Sequence, residues 1–327
     1  MTWKADAVDT RAIMSVVVEG KGRRVREVAA AEIAAKVADL CIQACTVLPP
    51  DVVAALEAAR EREESAVGRD VLSRLLENAR LAAAGRLPMC QDTGLAVVFV
   101  ELGEGVRVTG GGLKEAIGDG VRQGYERGYL RKSVVCSPLD RRNTGDNTPP
   151  VIHFDLVPGD ALRITVAAKG AGSENMSRLR MMAPADGMEA VVSFVRETVE
   201  RAGAAACPPL VVGVGLGGSF EQCALIAKKA LLRPLTDTSP DPAAALRQAQ
   251  GRPPGDQGHP ERSRGAAELE RQLLDVVNAT GIGPMGVGGR VTALAVKVET
   301  APCHIASMPV AVNLQCHAAR HAEYVWE

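Results

Sequence analysis

The sequence predicts a mixed α/β (α+β) fold. A helical N-terminal layer, about residues 26–85, packs on a β-rich body, about residues 86–327, within one domain spanning 1–327. Three observations carry this expectation. Apolar residues in the first ninety positions recur at helical spacing. The composition then shifts to short β-rich runs broken by Gly and Pro. Further helical stretches flank those runs.

In order, Ile33, Val37, Leu40 and Ala44 fall at i, i+4, i+7 and i+11, one face of a helix from about Arg26 to Val47. Pro49-Pro50-Asp51 ends it, and Asp51 is a candidate N-cap for Val52–Glu64. A third helix, about Arg69–Ala84, would turn Val71, Leu75 and Leu76 inward. Leu95–Glu101, Pro150–Val157 and Leu162–Ala168 read as strands, the last through alternating Leu162, Ile164 and Val166. Helices are predicted at Leu113–Arg127, Gly187–Ala202, Phe220–Leu232 and Ala266–Asn278, and strands at Leu210–Val214, Val291–Val298 and Val310–Leu314. Ser239–Arg264 is polar, rich in Pro and Gly and without apolar periodicity, so it is expected to be a mobile surface insertion with His259 outside the chemistry.

Composition excludes several classes. With 327 residues, 46% apolar and 24% charged, the chain can bury a sizeable core. Lys+Arg (38) and Asp+Glu (39) nearly cancel, and aromatics are 3%, so neither phosphate neutralisation nor base stacking on nucleic acid is expected. The apolar run Ala12–Val18 is short and preceded by acids, unlike a secretory signal. The longest uncharged stretch, Ala301–Ala319, holds two prolines, Asn313 and Gln315, a poor membrane span. A soluble, cytoplasmic protein is expected, with its eight cysteines reduced.

Several segments carry candidate chemistry. Cys90, Gln91, Asp92 and Thr93 sit in a Gly-terminated turn between helix and strand; by themselves they read first as a reduced cysteine in an Asx-type turn. Cys207 precedes Pro208-Pro209 and a GVGLGG run whose spacing matches a dinucleotide fingerprint, yet the acidic residue required some 20 positions later is missing. Cys303, His304, Cys316, His317, Arg320 and His321 crowd one stretch that makes an incomplete zinc site. His317 and His321 could share a helix face; His304 is the better functional candidate. Arg131-Lys132, Arg141-Arg142 and the Lys169–Ser177 turn are anion-like, the last offering backbone N–H groups, Ser173, Asn175 and Lys169 as a carboxylate cradle.

Together PMCQDTG, GYLRKSVVCSPLDRRNTGDNTPP, AAKGAGSENMS, ACPPLVVGVGLGG, NATGIGPMGVGG and APCHIASMPVAVNLQCHAARHA resemble the α subunit of class I (iron–sulfur) fumarate hydratase and L(+)-tartrate dehydratase. The resemblance covers about Val28–Arg320 in order, and its main departure is the Ser239–Arg264 insertion.

The resemblance implies a [4Fe-4S] cluster held by Cys90, Cys207 and Cys316, leaving one iron open as a Lewis acid. Cys41, Cys45, Cys136, Cys223 and Cys303 are then assigned to packing. It further implies reversible hydration and dehydration of a C4 dicarboxylic acid. Gln91, Asp92 and His304 are the catalytic candidates, and Arg131, Gly170 and Gly172 join them in substrate binding. Fumarate is the first expectation, with L(+)-tartrate or mesaconate as alternatives. Because the chain ends soon after Cys316, a separate β subunit carrying the catalytic base is expected, in an α2β2-type assembly. Rival expectations are a non-catalytic scaffold whose cysteines only pack, and a zinc- or nucleotide-binding enzyme.

Overall fold

The computed structural model describes residues 25–236 and 260–327, and of 260–264 the backbone alone. The first helix, α1 (Ala30–Thr46), buries Ile33, Val37, Leu40 and Ala44, the face its periodicity predicts. It starts four residues later than expected, because Arg26–Ala29 form strand β1, paired in parallel with β3 (Val106–Thr109). Such a pairing between distant segments leaves no local period to read. Helix α2 (Pro50–Arg62) follows Pro49, which occupies the N-cap position. Asp51 is therefore not the cap: its Oδ2 instead accepts the Leu235 N–H at 2.7 Å. Helix α3 (Ala66–Gly85) is capped by Ser65, whose Oγ accepts the Gly68 N–H. Leu72, rather than Val71, Leu75 or Leu76, is its fully buried side chain.

Among the described residues two four-stranded sheets form the body. The first runs β10 (His321–Trp326), β5 (Leu162–Lys169), β2 (Leu95–Gly103), β4 (Val151–Val157). The second runs β6 (Arg178–Met182), β9 (Met308–Gln315), β7 (Leu210–Gly217), β8 (Ala293–Ala301). Each has two antiparallel pairings followed by one parallel pairing.

The helices divide between the sheets. Helix α1 and α4 (Leu113–Arg127) pack on the first sheet around Val98, Ile164, Val166 and Tyr125. Helix α6 (Gly187–Ala202) and α8 (Pro260–Asn278) cover one side of the second sheet; α7 (Phe220–Ala230) packs on β7, β8 and β9. The expected single N-terminal layer is thus split. Helices α2 and α3 build their own core with Met89, Val211, Val291, Leu294 and Ala318, beside the second sheet. One 18-residue part of Ala30–Arg62 is apolar enough to cross a bilayer by composition, but the stretch breaks at Val47–Pro49 and α1 packs on β5, β10 and α4.

Two further expectations are corrected, and a third falls outside the described residues. Residues 260–264, placed in the mobile insertion, are the first residues of α8. Residues 239–259 of that insertion, with His259, lie outside the described residues. His317 and His321 share no helix: residues 316–320 form a non-helical connection, and His321 opens β10, whose pairing with β5 supplies the backbone partners a helix would have used.

Candidate active site

The three cysteines named from the sequence lie at ends of different strands. Cys90 sits in the connection from α3 to β2, which is pinned at both sides. The Met89 N–H donates to Cys45 O at 3.0 Å, and Asn78 Nδ2 donates to Met89 O at 2.8 Å. The Asp92 N–H points at Cys90 Sγ, 3.4 Å away. Cys207 precedes β7 and adopts φ 55°, ψ 64°. That left-handed conformation costs a residue with a Cβ about 1–2 kcal/mol, so a cysteine there marks a constrained position. Its carbonyl accepts the His317 N–H at 3.2 Å, which ties it to the turn that begins at Cys316. Cys316 follows β9, with its Sγ 3.8 Å from Ala318 O.

The three thiols feel one another. Burial pushes Cys207 up, and the thiols of Cys316 and Cys90 push it further. Burial also pushes Cys316 up; Arg320, the Ala318 contact and Lys169 oppose this, while Cys90 adds to it. Segments far apart in sequence are therefore neighbours here. Three soft sulfur donors facing one region suit an iron–sulfur cluster. Among the described residues no three His, Cys, Asp or Glu side chains converge as ligands of one ion.

Asp92 locks this region. Its Oδ1 accepts the Gly94 N–H and its Oδ2 the Ala171 N–H, both at 2.9 Å. Gly170 fits against that carboxylate: a Cβ there would stand 3.3 Å from Asp92 Oδ2 and 3.5 Å from Arg320 Nη2. Gly172 is exposed, and its Cβ would stand 3.2 Å from Ala205 O, beside the turn that leads to Cys207. So Cys90, Asp92, Gly170, Gly172, Cys207 and Cys316 belong to one neighbourhood. Gln91 is exposed next to them, its Oε1 3.5 Å from Cys90 Sγ.

Arg131 joins through its backbone, because its carbonyl accepts the Thr93 hydroxyl at 3.0 Å while its residue is exposed. Two buried residues that the sequence did not single out hold that loop. Tyr125 Oη lies 2.9 Å from Thr93 O and 3.1 Å from Gly94 O. Asn147 Oδ1 accepts the N–H groups of Ser133 and Val134, and its Nδ2 donates to Gly94 O. His304 is not brought into this network. It is exposed between β8 and β9, and its described hydrogen bonds go to Ala306 and Ser307 within its own loop.

The carboxylate cradle expected at Lys169–Ser177 is corrected in part. Lys169 is buried, donates to Leu314 O at 2.7 Å and Ser173 Oγ at 3.0 Å, and pairs with Glu174 at 3.2 Å. Desolvation brings the Lys169 ammonium down to about 8, against the pull of Glu174. Lys169 and Lys228 hold the Glu174 carboxyl at about 2 although its burial works the other way. Lys169 and Ser173 thus serve the interior.

The GVGLGG run is also structural. Cβ atoms at Gly213 and Gly215 would stand 2.1 Å from Ala227 O and 2.2 Å from Cys223 O, so these glycines let α7 press on β7. Of the cysteines assigned to packing, Cys41, Cys45 and Cys223 are buried, whereas Cys136 and Cys303 are exposed, on loops that form no core.

The sequence profile of fumarate hydratase (Fumerase) matches residues 34–325. The chain belongs to the fumarate hydratase family. Within that family it is 39% identical over 292 residues to the "Putative L(+)-tartrate dehydratase subunit alpha" of Methanocaldococcus jannaschii, covering 88% of this chain and 94% of that relative. It is 32% identical over 301 residues to the L(+)-tartrate dehydratase subunit alpha of Escherichia coli K12, covering 89% and 91%, and equally to that of Shigella sonnei. The chain is a hydro-lyase component, as the six motifs imply.

Proposed function

We propose that this chain is the cluster-bearing α subunit of an iron–sulfur hydro-lyase that adds water to, or removes it from, a C4 dicarboxylic acid. The observation that carries this reading is the meeting of the turns that bear Cys90, Cys207 and Cys316: the His317 N–H donates to Cys207 O, and Arg320 donates to the carbonyl of Asp92, whose own N–H points at Cys90 Sγ. These three thiolates would hold a [4Fe-4S] cluster, whose iron without a protein ligand supplies Lewis-acid chemistry toward a substrate hydroxyl and carboxylate.

The remaining roles belong to the chain itself. Each Asp92 oxygen is fixed by one backbone N–H and keeps a lone pair for substrate, so Asp92 is held rigid where it would orient the diacid or accept a proton. Gln91 borders the same thiol, and the exposed Gly172 lets a substrate approach the backbone closely. Arg131 supplies a solvent-facing cation for a carboxylate.

Fumarate is the first expectation from membership of the family. The names of the relatives favour L(+)-tartrate as a second reading. Those relatives are named α subunits, which supports a separate β subunit that completes the site in a two-fold αβ assembly. Eight free cysteines fit a reducing cytoplasm. The test is anaerobic reconstitution with iron and sulfide, alone and with a co-expressed β subunit, followed by turnover of fumarate, L(+)-tartrate and mesaconate. A brown protein active only with its partner is expected. A colourless protein overturns the cluster reading, and full turnover by the lone chain overturns the subunit reading.

A further inference from the structure

Arg320 ends the turn that begins at Cys316 and is 3% exposed. Its Nη1 donates to Asp92 O at 2.9 Å, and its Nη2 lies against Gly170. Its Nε is buried and has no hydrogen-bond partner. Among the described residues no carboxylate oxygen forms an ion pair with it; the neighbouring Asp92 carboxylate, whose two oxygens accept backbone N–H groups, offsets its charge only through space. Lys169, the other buried cation beside Cys316, faces Glu174 instead. A guanidinium does not discharge in a protein, so a buried one is costly until an anion faces it.

A cavity of about 20 Å³ touches Arg320, Lys169, Gln315 and Lys228. It has room for one water, which could serve Nε but would carry no charge. Arg320 also joins the two cysteine turns: it leaves the turn that begins at Cys316 and donates to Asp92 O, while the Asp92 N–H points at Cys90 Sγ, 3.4 Å away.

We propose that Arg320 is the buried counter-charge of the cysteine set, a positioning residue that retains the anionic cluster and raises its reduction potential. The inference rests on the reading of Cys90, Cys207 and Cys316 as cluster ligands. Protein charge near a cluster tunes its potential, and a cation favours the more reduced, more negative state.

The test compares the full parent chain with Arg320→Gln, Arg320→Lys and Cys316→Ser after anaerobic reconstitution. Iron and sulfide content, the rate of cluster loss to an iron chelator, the reduction potential, and the melting temperature of cluster-free protein are read. For Arg320→Gln, cluster loss about tenfold faster and a more negative potential are expected, the scale of one nearby charge in a partly polar interior. Arg320→Lys should recover much of the potential. Cluster-free Arg320→Gln should melt no lower than the cluster-free parent, having lost a buried charge that makes no ion pair. Parent-like retention and potential in Arg320→Gln would overturn the inference. So would a lower melting temperature or failure to fold in its cluster-free form, which would make Arg320 a packing residue, and so would an Arg320→Lys variant no better than Arg320→Gln. If the parent itself takes up no iron, or Cys316→Ser keeps a full cluster, it is the ligand reading that fails.

Discussion

Glu63, at the end of α2, is 1% exposed and collects four backbone N–H groups. Its Oε1 accepts from Glu64 at 3.0 Å, Ser65 at 2.9 Å and Arg290 at 3.0 Å, and its Oε2 accepts from Val291 at 2.9 Å. Burial alone would raise the carboxyl above its ordinary value, but the four donors outweigh it and the value falls. Replacing it with Ala removes both acceptor oxygens and so leaves all four donors without a partner. The Glu64, Ser65 and Arg290 N–H groups border exposed chain and can turn to water; that of Val291, which is buried, cannot do so freely. At about 1–3 kcal/mol for a stranded N–H, Glu63→Ala should cost about 1–3 kcal/mol, and Glu63→Gln, which keeps one acceptor, about half of that. A depressed carboxyl contributes stability above its unfolded value of 4.5, and that stability is lost as pH falls through the folded value. Urea unfolding of cluster-free chain should therefore show a gap between parent and Glu63→Gln that is constant at neutral pH and shrinks in acid. A variant within about 0.5 kcal/mol of the parent, or a gap unchanged far into acid, would refute the clamp. The loop it holds also donates the Met285 N–H to Pro208 O at 2.7 Å, so the damage should reach the neighbourhood of Cys207.

Two further predictions concern backbone at the site. Gly94 has φ 72°, and a Cβ there would stand 2.4 Å from Lys169 O; Gly94→Ala should destabilise the chain by about 2–3 kcal/mol in urea unfolding, and a neutral result would contradict the close approach of the two strands. Cys207→Gly and Cys207→Ala both remove the thiol, but only glycine is relaxed at φ 55°. The glycine variant should be the more stable by about 1 kcal/mol, and equal or reversed stabilities would show that the backbone there is not strained.

What the sequence reveals, and what it hides, follows from the range of the interactions. The buried stripe of α1 and the alternation in β5 are legible because their partners repeat at the element's own period. Strands β1, β3 and β10 are not, since each exists by pairing with chain far away. The cysteines come through the order of the motifs, a resemblance, while their proximity comes only from the fold. Lys169 reads as an outward ligand because its turn is polar in sequence; its buried partners, Glu174 and Leu314 O, are set by the meeting of β5 with β9. Arg320 stands in view four positions after Cys316, yet nothing local signals that it is buried without an ion pair.

The strand ends that carry the thiols belong to different halves of the body. Cys90 leads into β2 of one sheet, whereas Cys207 leads into β7 and Cys316 leaves β9 of the other. Anything gripped by all three is a rivet through both halves. Oxidative damage at that point would then loosen the architecture as well as silence the chemistry, and a protease should sense the injury as readily as a substrate does.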